Sequence, residues 1–104
     1  MKKGVNGMPS SKQFKDFVLE QLRELPNITC KSMMGKYLLY CDGLLFGDIY
    51  DDRFLIKKTY AVKQFELREE IPYENAKPVC LVENLDDIDY INEIIKITCD
   101  SLKK

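Results

Sequence analysis

Apolar positions change their period twice along the chain. Near the amino terminus Phe14, Phe17, Val18, Leu22 and Leu25 recur at helical spacing. Ser10 or Ser11 can cap that helix, and Ser10 with Gln13 has the spacing of a capping box. Pro26 is expected to end it. The middle of the chain alternates instead. Residues 28–33 read as a weaker strand, and 37–41, 44–50 and 53–57 read as a meander broken by the turn formers Asp42-Gly43 and Asp51-Asp52. In the first meander strand both alternating sets are apolar, Tyr37, Leu39 and Cys41 against Leu38 and Tyr40, so both of its faces should be covered. Residues 59–70 fit a short helix, 71–78 carry two prolines and read as a loop, and 79–83 form a last strand. Helical spacing then returns. From Asp86 or Asp87, carboxylates suited to the positive end of a helix dipole, a final helix runs to Leu102 with Ile88, Ile91, Ile95, Cys99 and Leu102 on its main stripe.

This order predicts an α+β fold in two layers: a mostly antiparallel sheet of about four to five strands around a meander core, with the amino- and carboxy-terminal helices on one face. One domain over residues 10–104, preceded by a flexible tail at 1–9, accounts for the chain. The final helix has a second apolar set. Tyr90, Ile94 and Ile97 lie on a flank away from the main stripe, which makes them the first candidate for a contact with another protein or a second copy of the chain. The faces holding Tyr37 and Tyr50 come second.

Charge excludes more than it suggests. With 16 basic residues, 17 acidic ones and a net charge of −1, the chain has no global attraction for phosphate backbones or anionic membranes. No apolar run reaches the roughly 20 residues of a membrane-spanning helix, and a cytoplasmic location is expected. Cys30, Cys41, Cys80 and Cys99 show none of the spacings of zinc or redox motifs, so they read as free thiols used as small apolar residues.

Candidate chemistry is sparse. There is no histidine, which removes the commonest general base and metal ligand, and no Gly-rich phosphate loop. Asp42, Asp51 and Asp52 sit where hairpin turns favour them, so no metal, cofactor or catalytic set is expected. Asp48 differs, interrupting an apolar strand; it should face water or pair with Arg53 or Lys57. Arg53, Lys57, Lys58, Lys63 and Arg68 make a locally basic segment near aromatic residues, a candidate surface for a small molecule or a nucleic acid. The acidic residues interleaved with them argue against direct nucleic-acid binding.

Several segments together carry a family resemblance. They are 11–14 at the first helix, Met33-Met34-Gly35-Lys36-Tyr37 through Asp42-Gly43 with Phe46-Gly47 behind it, 52–57, and Pro72-Tyr73-Glu74-Asn75-Ala76-Lys77-Pro78 before the last strand. In order and spacing the chain resembles the TfoX (Sxy) amino-terminal domain of bacterial competence regulators, as a standalone domain without the helical carboxy-terminal domain. It departs from that family in reading Met33-Met34-Gly35-Lys36 where a Met-Phe-Gly-Gly type sequence is usual. The resemblance implies a two-layer α/β domain and a non-enzymatic regulatory or adaptor role in control of DNA-uptake genes. It also implies action through protein contact, with a transcription factor such as the cAMP receptor protein as partner.

Overall fold

The computed structural model describes residues 11–103; the tail and the Ser10 capping box lie outside them. Helix α1 spans Lys12–Gln21 and is capped by Ser11, whose hydroxyl accepts the Phe14 N–H at 3.0 Å. It ends before Pro26: Leu22 leaves the helix at φ −99°, and a turn closed by Leu25 N–H on Leu22 O (3.0 Å) fills the gap.

The strands are β1 Ile28–Met33, β2 Lys36–Cys41, β3 Leu44–Tyr50, β4 Arg53–Lys57, β5 Arg68–Glu70 and β6 Val79–Val82; α2 is Ile88–Leu102. They form one sheet in the order β1-β2-β3-β4-β6-β5, antiparallel at every junction. Two-residue turns join β1 through β4. Both central residues of each have positive φ: Met34 and Gly35, Asp42 and Gly43, Asp51 and Asp52. That is the mirror-image turn whose twist matches the strands it connects. The third turn also anchors α1, because Asp52 accepts the Ser11 N–H at 2.9 Å.

The sheet has one strand more than the sequence pattern suggests. Residues 59–70 do not form one helix: a 3₁₀ helix covers Tyr60–Phe65, Glu66 turns left-handed at φ 52°, and Arg68–Glu70 pair with β6 as an edge strand. Three charged residues carry no apolar period by which to recognise a strand, yet charge suits an unpaired edge.

Both helices cover one face. Leu39, Cys41, Ile49, Phe54, Ile56, Cys80 and Val82 of the sheet pack with Val18 of α1, Leu22 just after it, and Ile91, Ile94, Ile95 and Cys99 of α2. A bulge in β3, where the pairing with β2 shifts between Leu39 and Tyr40, adds Phe46 to this core at 0% exposure. Gly47 follows it without a side chain because Leu55 O of β4 occupies the place a Cβ would take.

Two expectations are corrected here. Ile94 cannot serve as an interface residue, since it is fully buried in the chain's own core. The 3₁₀ helix lies against that flank of α2, burying Val62 and setting the Phe65 ring edge-on to Tyr90 at 6.1 Å, while Ile97 is left half-buried. Nor are all four cysteines free. Cys41 ends β2 on the helix-facing side and Cys99 lies one turn after Ile95 on the buried stripe of α2; their Cα atoms are 6.2 Å apart and the sulfurs form a disulfide. Cys30 and Cys80 are the free pair. Lys103 pairs with Asp42 next to the crosslink, which raises the Lys103 pKa and lowers that of Asp42.

Candidate functional site

Strand alternation sends the remaining side chains to the face without helices. Tyr37 pairs with Ile49 and Ile49 with Phe54, all on the core side, so Lys36, Asp48, Tyr50, Leu55, Lys57 and Val79 project from the opposite side. The 71–78 loop rises beside them on its way from β5 to β6. Sheet face and loop enclose an open cleft of about 890 Å³, within the range of small-molecule sites.

Charge in this cleft is unlike that of the chain as a whole. Lys36, Lys57, Lys58 and Lys77 line it against a single carboxylate, Asp48. Lys58 is paired with Glu69 at 3.0 Å and Lys36 with Asp48 at 3.6 Å. Lys57 and Lys77 have no acidic partner among the described residues. Leu55, 2% exposed, forms part of the floor, while Tyr50 and Tyr73 supply aromatic rings and Tyr73 stands 68% exposed on the loop.

Asp48 is the corrected part of the site. It pairs with a cation of a neighbouring strand, as one of the two expectations had it, but that cation is Lys36 across the β2–β3 pair and not Arg53 or Lys57, and its side chain is 25% exposed. Burial pushes its pKa up, and the opposing pull of Lys36 is the smaller effect. The folded protein therefore holds the Asp48 proton more tightly than the unfolded chain does. That costs stability at pH values above the raised folded pKa, and the cost disappears as pH falls below the ordinary carboxylate value. Asp48→Asn should consequently match or exceed the natural chain in stability at pH 7, by up to about 1 kcal/mol, with the difference closing near pH 3. Thermal melts at the two pH values measure this; a variant less stable at pH 7 would mean that the Lys36 pair outweighs the burial.

The structure divides the basic segment predicted from sequence. Lys57 and Lys58 enter the cleft, whereas Lys63 lies over the Tyr60 ring at 5.3 Å and Arg68 is exposed on the edge strand. Arg53 is committed elsewhere: its guanidinium pairs with Glu70 of β5 and with Asp51 at 3.7 Å, tying β4 to the edge over β6. Of the candidate tyrosines, Tyr50 lines the cleft; Tyr37 faces the helices beneath the Lys15 ammonium, 5.4 Å from its ring centroid. Lys36, Lys77 and Tyr73 were not in the sequence-based set. Only the register of β2 and the path of the 71–78 loop bring them in.

Among the described residues no three His, Cys, Asp or Glu side chains converge as a metal would need, and no helix is long and apolar enough to cross a membrane.

Comparison with known proteins adds one relative. An uncharacterized 12.7 kDa protein in the trpE 5′ region of Spirochaeta aurantia is 26% identical over 98 residues, covering 91% of this chain and 85% of that protein. No protein-family model matches the chain, and no solved structure matches it.

Proposed function

We propose that this chain is a non-catalytic binding domain that holds a small anionic ligand in the lysine-lined cleft. The observation that carries the reading is the gathering of four lysines, two of them without acidic partners, in one concavity of a protein whose net charge is −1. A cleft lined by one sign of charge concentrates the opposite ion. Lysine ammoniums bind phosphate or carboxylate as point charges without demanding one geometry. The non-catalytic part rests on the sequence, which has no histidine to act as a general base near neutral pH.

A regulatory role through protein contact, the role of the family the sequence resembles, is the second reading. Leu44 and Leu45 at the start of β3 remain 37% and 36% exposed, Leu45 beside Tyr40 on the helix-free face. A protein partner, or a second copy of the chain, would cover them.

One set of measurements addresses both. Titration with pyrophosphate and with citrate at low salt should show binding that weakens as salt rises, and the double variant Lys57→Glu with Lys77→Glu should lose it by about 100-fold or more. Undetectable binding of both anions to the natural chain, or equal binding to the double variant, rejects the cleft. Light scattering over a dilution series decides the dimer: a monomer at every concentration removes it, and Leu45→Glu should dissociate any dimer made through this face.

A further inference from the structure

The cleft holds more than positive charge, and on the reading that it binds an anion its other groups indicate which kind. We infer that its ligand is a nucleoside phosphate, with the phosphate held by Lys57 and Lys77 and the base placed against Tyr50 and Tyr73 with its N–H edge toward Asp48.

Three observations lead there. Anion binding alone would be served by the lysines, and a carboxylate in the same cleft would weaken it by repulsion. Asp48 nevertheless lies there, half-buried, with Leu38 and Leu55 directly paired on either side, Tyr50 two residues on, and Lys36 as its one ion-pair partner. The Lys36 ammonium, 3.6 Å from one carboxylate oxygen, leaves the group further acceptor positions. A ligand that gains from such an acceptor must present N–H donors as well as negative charge. Third, Tyr50 on the sheet and Tyr73 on the loop give the cleft aromatic surface, and every nucleobase has a π-face to stack. Simple phosphates, polycarboxylates and fatty anions lack either the donors or the ring. Nucleobases bearing amino or imino N–H groups, joined to phosphate, have all three. The cleft of about 890 Å³ between loop and sheet has room for a single nucleotide.

Calorimetric titration of the full chain at low salt with guanosine diphosphate and with pyrophosphate tests this, because the two share the diphosphate and differ in the nucleoside. The nucleotide should bind at least about tenfold more tightly, the increment expected of stacking and base recognition. In Asp48→Asn, checked by circular dichroism to be folded, that ratio should collapse toward one because the acceptor for the base is changed while the lysines stay. Tyr73→Ala should lower the ratio as well, and its exposed position makes it safe for folding. Equal affinity for nucleotide and pyrophosphate in the natural chain overturns the inference while leaving anion binding intact, as does a ratio unmoved by both variants. Absence of binding by either compound overturns the cleft reading itself. A single-stranded oligonucleotide without terminal phosphate should not displace the nucleotide; displacement at lower concentration than free nucleotide requires would overturn the assignment to a free ligand.

Discussion

Reducing the Cys41–Cys99 disulfide should lower the unfolding free energy by about 4 kcal/mol, the chain-entropy value for two residues 58 apart. That is a large share of the 5–15 kcal/mol typical of a small domain. At roughly 4–8 °C per kcal/mol for a chain of this size, the midpoint should fall by on the order of 20 °C. The crosslink joins the end of β2 to the last turns of α2, so its loss should free first the helix end where Lys103 meets Asp42. Cys99→Ser should reproduce the reduced state, whereas Cys30→Ser, at a half-buried free thiol, should change little. Melts with and without reductant, with alkylation and mass measurement to count free thiols, decide it: four free thiols before reductant, or superimposable melts, would remove the disulfide from the stability of this fold.

Gly47→Ala should be the most damaging small substitution in the sheet. A Cβ at Gly47 would lie 2.3 Å from Leu55 O and 3.0 Å from Ile56 Cα, both backbone atoms of the paired strand β4. Neither can rotate aside as a side-chain tip could. The β3–β4 ladder must part, displacing Phe46 on one side of the glycine and Asp48 on the other. The expected cost is about 3 kcal/mol, the upper range for overpacking, together with loss of anion binding in the cleft. Gly43→Ala is the control, since its Cβ would meet nothing within 4 Å and only the left-handed φ of +80° opposes it. About 1 kcal/mol is expected there, with the cleft untouched. Denaturant titration of the two variants separates a backbone collision from a turn preference; equal costs would mean that β4 moves freely.

Much of the fold was legible because it is local. The Asp42-Gly43 and Asp51-Asp52 turns, the alternation of Phe54 and Ile56, and the Ile91, Ile95 and Cys99 stripe each follow from a period or a dihedral preference of a few neighbouring residues. Where the reading went astray, the deciding contact was distant. Ile94 falls on an open flank by its spacing alone, and the 3₁₀ helix about thirty residues earlier packs against that flank of α2. Arg68–Glu70 pair as a strand only because β6 offers them an edge. Arg53 looked like a ligand-binding cation, and its carboxylate partner Glu70 lies on that edge.

The candidate site divides the same way. Tyr50, Lys57 and Lys58 could be named from a basic, aromatic stretch of sequence, whereas Lys36, Lys77 and Tyr73 join them through strand register and loop path. By itself, then, the sequence determined both helices, the meander strands and β6, the turns between them and the layer the helices cover, since apolar period and turn chemistry act between neighbours along the chain. Only the tertiary structure decided which cysteines pair, which flank of α2 is covered and which lysines converge, because each of those depends on residues brought together by the antiparallel sheet across long stretches of chain.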